Sequence, residues 1–452
     1  MTVQMRKAPP TRPGYLIFNP KEIKEDPVNF YNRMWKEYGD LVRLPIMPNY
    51  SFYLLAHPKY AEQVLFTQQE RYIKPDIVNK PFNFMMGESI LTSEGDFWLK
   101  HRRLMQPAFH MKQLANLAEV IVSCTESFLQ EWENKPEGEV IDIAEETLRL
   151  TLKIAGQTLF SKDISDEDSV LGQAFRTGYE FINYKMNNLW TEPLWIPTPR
   201  NQRFLKAKQT LDNLILDIIN FRRQNTTDRN DLLSMLMAAR DEQTGEGMSD
   251  KQLQNEAITL LVAGHETVAS ALAWTWYLLA KHPDIAANLQ AELARVLNGG
   301  YPSLEKLPQL EYTRRVFDET LRLYPPAWAI PRTNKEDDEI NGYFIPQGSL
   351  VNVAAFMIHR HPEFWENPEQ FNPDNFLPEK VNQRPKFAYF PFGGGKRVCI
   401  GQNFALMEAT IIIALISQRF KLELLPNQQI EIDPTFTLRP KNGIKVKVWQ
   451  LN

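Results

Sequence analysis

Phe392-Gly393-Gly394-Gly395-Lys396-Arg397-Val398-Cys399-Ile400-Gly401 is the stretch on which the reading of this chain turns. Three consecutive glycines, a basic pair and a lone cysteine run into a helical pattern, behind the aromatic run Phe387 to Pro391. Glycine lets a backbone take positive φ and approach closely, so successive N–H groups can converge on one atom, here the Cys399 sulfur. Gly401-Gln402-Asn403 opens a helix whose N-terminal dipole, with Lys396 and Arg397 beside it, favours a thiolate. A thiolate so placed is a metal ligand or a nucleophile. No cysteine-protease signature surrounds Cys399, and the second cysteine, Cys124, is too remote for a short-spaced zinc site. Arg397 stands where a phosphate-binding loop needs Ser or Thr. A glycine-rich turn around a structural cysteine is the plain alternative.

Outward from this loop, composition sets bounds. The 452 residues are 43% hydrophobic and 23% charged, as in an ordinary globular protein. A net charge of -4 gives no reason to expect a nucleic acid or an acidic membrane as partner. Two cysteines argue against a disulfide framework and for a reducing compartment. Met1 to Asn19 holds no long apolar run, so neither a signal peptide nor a membrane anchor is expected, and residues 1–25, with Pro9 to Pro13, read as an extended arm.

Pro27 to Tyr38 is a short helical pattern, and Leu41 to Ile46 with Phe52 to Ala56 read as a hairpin. Strand-like runs return at Tyr343 to Val353, Phe420 to Leu425 and Ile444 to Leu451. From about Trp98 to Tyr324 periodicity is almost wholly helical. The fold class is therefore mainly α with a small β region, a large helical body plus a minor sheet built from both chain ends.

Three further stretches carry polar residues in chemically pointed positions. Trp98 and Arg102 share one face of a helix that Gly95-Asp96 introduces, which in isolation is an amphipathic helix with a solvated basic edge. A long helix runs from Ser249, which with Gln252 forms a capping-box pattern, to about Lys281. In its middle stands Ala263-Gly264-His265-Glu266-Thr267. Interior glycine costs about 1 kcal/mol relative to alanine, so Gly264 serves close approach of a flat group or tight helix packing. Thr267 can bond back to the carbonyl four residues earlier and open the helix. Glu319 and Arg322 lie three apart among Val316, Phe317, Leu321 and Leu323, a buried pair by its flanks. Loss of one member of such a pair strands a charge at about 3–5 kcal/mol.

Together these stretches resemble the cytochrome P450 family. Phe392, Gly395, Arg397, Cys399 and Gly401 match F-x-x-G-x-R-x-C-x-G, its haem-binding signature; W-x-x-x-R, A-G-x-E-T and E-x-x-R precede it in family order. The resemblance implies one haem domain over 1–452, with haem b (iron protoporphyrin IX) on an axial Cys399 thiolate. It makes Phe392, Ala263 and Gly264 cofactor contacts, and Trp98, Arg102, Arg332 and Arg397 the propionate partners, where a planar guanidinium meets a carboxylate. Thr267 and Glu266 become the catalytic proton-delivery pair, with His265 structural. Glu319 and Arg322 become a lock on the cysteine loop. The lock's usual arginine is replaced by Asn375, and His361 stands in place of the commoner aspartate in His359-Arg360-His361-Pro362. Phe82 and Met85, the Phe181 to Trp195 segment, Trp328, Ile330, Phe436 and Thr437 are implied substrate-pocket residues, for which core packing or solvated turns are the plain alternative.

The implied activity is insertion of one atom of O2 into a C–H bond of a lipophilic small molecule, a fatty acid, terpenoid or similar. With no flavin or iron–sulfur segment after Asn452, electrons would come from a ferredoxin or flavodoxin with an NAD(P)H-dependent reductase. Lys100 and Arg103 are candidates for a basic face toward that donor. A soluble, cytoplasmic, bacterial-type monomer is expected. A peroxygenase or haem-thiolate isomerase would share the fold, and a non-catalytic haem sensor would not need the intact Glu266-Thr267 pair.

Overall fold

The computed structural model describes residues 7–451 apart from 19, 166–169, 189–190, 226–229 and 435. Residues 1–6 of the expected arm, and Leu189 and Trp190 of the expected pocket segment, lie outside the described residues. The helices begin with α1 (Pro20–Glu25), α2 (Pro27–Tyr38), α3 (Pro58–Glu62), α4 (Asp76–Met86), α5 (Gly95–Met105) and α6 (Met111–Glu133). They continue with α7 (Ile143–Phe160), α8 (Val170–Asn187), α9 (Pro199–Gln224), α10 (Leu232–Ala238) and α11 (Asp250–Lys281). The last are α12 (Pro283–Leu297), α13 (Glu311–Leu323), α14 (Ala355–Ile358), α15 (Pro378–Gln383) and α16 (Gln402–Arg419). The strands are β1 (Leu41–Met47), β2 (Tyr50–Leu55), β3 (Tyr72–Ile73), β4 (Glu139–Asp142), β5 (Ile330–Asn334) and β6 (Asp338–Ile340). After them come β7 (Tyr343–Ile345), β8 (Leu350–Val353), β9 (Phe420–Leu424), β10 (Ile432–Asp433), β11 (Arg439–Pro440) and β12 (Lys445–Gln450).

Contacts divide the chain into two compact units, neither continuous in sequence. The first comprises Met1–Asn79, Asp318–Cys399 and Phe436–Leu438. Its sheet runs β1-β2-β8-β5-β3, so the early hairpin is extended by late strands. Leu41 faces Leu55 in the antiparallel hairpin, and β2 then pairs in parallel with β8, Leu55 beside Val353. One face of this sheet buries Tyr53, Leu55, Val351 and Val353 in a cluster that includes Phe387 and Phe390. The sheet thus supports the aromatic approach to the cysteine loop. The run expected at Tyr343 to Val353 is two strands, because Gly348 at φ +77° turns the chain between β7 and β8.

The arm is not extended throughout 1–25. Arg12 N–H bonds the Arg43 carbonyl and Arg43 N–H the Pro10 carbonyl, so the described start lies along β1. Leu16–Phe18 then makes a 3-10 turn and Pro20 opens α1, where its fixed φ and missing N–H suit a first helical position.

The second unit comprises Lys80–Phe317, Ile400–Thr435 and Arg439–Asn452. It holds the long helices and the sheet β4-β12-β9. The 32-residue α11 starts where the capping box predicts: Ser249 accepts from Gln252 N–H at 3.3 Å and donates its own N–H to the Gln252 side chain at 2.8 Å. α11 is the one helix among the described residues long and apolar enough to cross a membrane, and 78% of its most apolar window is buried inside the protein, so it is a core helix. Glu292 of α12 accepts Tyr312 N–H, Thr313 N–H and the Thr313 hydroxyl at 2.7–2.8 Å, satisfying the open donors at the start of α13.

Candidate active site

In the first unit the three glycines of the loop have three different reasons. A Cβ on Gly395, at φ +66°, would sit 2.0 Å from the Leu65 carbonyl oxygen, and one on Gly394 would sit 2.5 Å from the Phe387 ring. Gly393, at φ +75°, is open save for Ile330 at 3.9 Å. The loop closes on itself through Cys399 N–H to the Phe392 carbonyl at 2.9 Å and Val398 N–H to the Gly395 carbonyl at 3.2 Å. Lys396 N–H donates to Gln69, and its ammonium is paired with Glu70, so its charge is balanced locally and not reserved for the sulfur. Cys399 is exposed, whereas Cys124 is buried and desolvation pushes its thiol up to about 11. Of the two, Cys399 is the accessible sulfur.

Behind the loop, α13 acts as anchor. Arg322 donates to both carboxylate oxygens of Glu319, at 2.7 and 2.8 Å, and to the carbonyls of His359, Pro368 and Gln370. Neither side chain has exposed surface. His359 accepts Phe390 N–H at 3.0 Å, and burial, with the Arg322 and Arg360 charges, holds it neutral by lowering its pKa to about 3. Tyr389 hydroxyl lies 2.9 Å from the Asp318 carboxylate. Two consecutive residues of the aromatic approach are therefore tied to α13 and the loop after α14. His359 was missed in the sequence because its role is set by Phe390, 31 positions away.

Leu438 N–H bonds the Pro326 carbonyl at 3.2 Å, bringing the Phe436–Leu438 turn to the segment that holds Trp328. Ile330 begins β5 and Trp328 packs on Tyr31 at 5.6 Å between centroids. Thr437 is buried, not a solvated turn residue. Arg332 is half-buried on β5 and donates to the Pro331 carbonyl. Arg397 is half-buried in the loop.

In the second unit every residue of α11 between Lys251 and Lys281 is buried or half-buried except Ala263, which is exposed. Gly264 and Thr267 share that face and are half-buried. A Cβ on Gly264 would meet nothing within 4 Å, so the glycine does not serve helix packing. Thr267 hydroxyl donates to the Ala263 carbonyl at 2.8 Å, the expected back-bond. This uncovered face is what a flat cofactor requires, as the accessible Cys399 sulfur of the first unit is what its iron requires, so the residues of each unit taken by itself fit haem. His265 is buried with Nε2 3.2 Å from the Leu148 carbonyl, and burial lowers its pKa to about 4, so it is a neutral structural group. Glu266 is buried and hydrogen-bonded by Tyr179 of α8, whose pKa is raised by burial and then by Glu266.

Trp98 is buried and Arg102 half-buried on α5. Between them His101 contacts Glu256 of α11 at 2.6 Å, both without exposure, and Glu256 also accepts Ile90 N–H. Sequence spacing gives no hint of this pair, which joins positions 155 apart. Lys100 is bonded to Glu246 and Arg103 to the buried Asp241, so both cations are paired with the loop before α11. Phe82 is buried; Met85 has no exposed surface and packs beneath Gly178, where a Cβ would lie 2.8 Å from its sulfur. Met85 is thus enclosed between α4 and α8.

An accessible cysteine on a glycine-cradled loop with a locked acid–base pair behind it, in the one unit, and a core helix uncovered at small residues, in the other, are each what a haem-dependent monooxygenase needs. A sequence profile described as cytochrome P450 matches residues 8–448. The chain is 36% identical to "Cyclooctatin synthase" of Streptomyces melanosporofaciens over 89% of this chain and 87% of that one. It is 34% identical to "Cyclooctat-9-en-7-ol 5-monooxygenase" of the same organism, over 86% and 84%. A crystal structure of the cytochrome P450DA heme domain superposes with a TM-score of 0.89 at 25% identity, covering 99% of this chain and 98% of that one. The chain belongs to the cytochrome P450 family, whose members use haem, lipophilic substrates and redox partners.

Proposed function

We propose that the chain is a single haem domain with haem b on Cys399, and that it hydroxylates a terpenoid hydrocarbon or alcohol. The observation that carries the chemistry is the uncovered Ala263-Gly264-Thr267 face on an otherwise enclosed α11. The substrate class rests on the relatives named for cyclooctatin and cyclooctat-9-en-7-ol. Bound haem supplies the oxidising chemistry, with one oxygen atom entering a C–H bond and the other leaving as water.

The protein's own residues handle position and protons. Phe392 and the glycines shape the loop so that Cys399 presents its sulfur outward. Trp98, Arg102, Arg332 and Arg397 are the propionate partners. The Thr267 hydroxyl gives its single proton to the Ala263 carbonyl and keeps its lone pairs free to accept; exchanging that back-bond lets it donate to a reacting group while it accepts a proton in return. Buried Glu266, held by Tyr179, supplies the proton to Thr267. Trp328, Ile330, Phe436 and Thr437 hold an apolar substrate and exclude water; Phe82 on α4 is the candidate substrate residue of the second unit. Electrons come from a ferredoxin or flavodoxin with its NAD(P)H-dependent reductase, to a monomer in the cytoplasm.

Reduction under CO is expected to give the red-shifted Soret band of sulfur ligation, absent in Cys399→Ser. Spin-shift titration against terpenoids and fatty acids should select terpenoids. A response to fatty acids alone overturns the substrate class, and lack of the sulfur-ligated band overturns the ligand.

A further inference from the structure

Arg322 is fully enclosed, and its N–H groups are directed to Glu319 and three backbone carbonyls. Glu319 accepts in addition from Asn372 N–H at 2.8 Å and from the Asn375 side-chain amide at 3.0 Å. Both added donors are neutral. Asn375 is itself buried, at 4% exposure, so something must fix its orientation. The Arg384 guanidinium does this directly by donating to the Asn375 backbone carbonyl.

The same guanidinium lies 4.0 Å from the centroid of the Trp365 ring and 5.5 Å from that of Phe376. Arg322 lies 4.9 Å from the same Trp365 ring, which is 1% exposed. Two guanidinium groups against one buried indole repel each other unless a carboxylate sits with them, and Glu319 is that carboxylate. Burial, against which Glu319 pulls upward and with which Arg322 acts, brings the Arg384 pKa down to about 10, unlike a solvated surface arginine. The contact continues toward the cysteine loop: Trp365 to Phe376 at 5.9 Å, Phe376 to Tyr389 at 4.7 Å, and Tyr389 hydroxyl to Asp318.

We propose that Arg384 completes the Glu319–Arg322 lock in this chain, acting through Asn375 and Trp365 as a positioning residue for the segment Phe387 to Cys399. The cation is supplied nine positions downstream of Asn375, from the C-terminal cap of α15 instead of the turn that holds the asparagine. In a chain so built, the effect of placing arginine at 375 depends on what occupies 384. With Arg384 present, Asn375→Arg adds a third guanidinium to the cluster and destabilises it. With Arg384→Ala, the same change restores the missing charge.

The test is a double-mutant cycle on the purified haem protein, using Arg384→Ala, Asn375→Arg, the pair, and Arg384→Lys. Urea unfolding, the rate of haem loss and the sulfur-ligated fraction of the reduced CO adduct are read for each. Arg384→Ala is expected to raise the unfolding rate about tenfold, the factor that loss of one charge-assisted hydrogen bond gives. Arg384→Lys, which keeps the charge without the planar stack, falls between. Asn375→Arg lowers the unfolding midpoint alone and raises it in the Arg384→Ala background. Wild-type unfolding of Arg384→Ala, or an effect of Asn375→Arg that keeps its sign in both backgrounds, overturns the proposal. The CO-adduct readout rests on Cys399 as haem ligand. Should the chain bind no haem, that reading falls, and the unfolding cycle still decides Arg384.

Discussion

Glu408 in the middle of α16 is a carboxyl at 1% exposure, and neither of its oxygens has a hydrogen-bond partner among the described residues. Desolvation raises its pKa well above the ordinary value, so the folded chain holds the proton that an unfolded chain has released above about pH 4.5. The unfolded state then binds fewer protons than the folded one, and stability falls as pH rises. The slope is about 1.4 kcal/mol per pH unit for as long as the folded state keeps the proton. Glu408→Gln keeps the shape and removes the titration. Its stability relative to wild type should therefore grow by about 3 kcal/mol between pH 6 and pH 8 while the slope persists. Urea unfolding of both proteins at half-unit pH intervals measures this difference, and the pH at which the two curves become parallel locates the folded-state pKa. The nearby Cys124 thiol, pushed up to about 11, stays neutral throughout and adds no slope. A pH-independent gap between the proteins would refute the reasoning, because it would mean that Glu408 is ionised in the fold and has a partner.

Thr267→Ala removes the hydroxyl on the uncovered face of α11 and should cut product formed per NAD(P)H by about tenfold or more while oxygen is still consumed, measured with a reconstituted donor chain. His101→Ala leaves Glu256 buried with only the Ile90 N–H as described partner and should cost about 3 kcal/mol in urea unfolding. Charge reversal at Lys100 and Arg103 should lower the unfolding midpoint through the lost Asp241 contact and leave the reduction rate at saturating donor unchanged.

Local interactions were legible in the sequence, and interactions between distant segments were not. Ser249 and Gln252 cap α11 as their spacing predicts, because both partners lie within one turn. The hairpin was legible from alternation, and so were β9 and β12. β5 was not: Ile330 to Thr333 are all half-buried, so neither face gives a hydrophobic period, and Pro331 reads as a turn. β4 is a four-residue strand that interrupts a helical region and gains its meaning from β12, more than 300 positions later. Cys399, Gly264 and Thr267 stood out because glycine and cysteine have few reasons to be where they are. His101–Glu256 and Tyr179–Glu266 did not, since each residue alone suits an ordinary helix face. The partners of Lys100 and Arg103 were hidden for the same reason, as they lie on a loop about 140 residues away.

The two departures from the family pattern have one physical explanation. His361 stands where an aspartate is commoner, and its Nδ1 accepts Glu363 N–H at 3.2 Å, a local turn-capping role that an aspartate oxygen also suits. Its Nε2 lies 3.1 Å from Asp40, where a second nearby hydrogen bond, from Trp35, also holds the carboxylate. Burial works against the Asp40 charge, yet these bonds keep its pKa below the usual carboxylate range. Asn375 likewise keeps a hydrogen bond to Glu319 while the cation moves to Arg384. In each case the position retains the contact its backbone neighbours need, and the displaced charge reappears on a residue brought near by the fold. Enclosed charge is costly enough that substitution at one member of such a cluster is tolerated only with a compensating group within a few ångströms. A departure from a motif at a buried ionic site is therefore a pointer to where in the structure its counterpart must be sought.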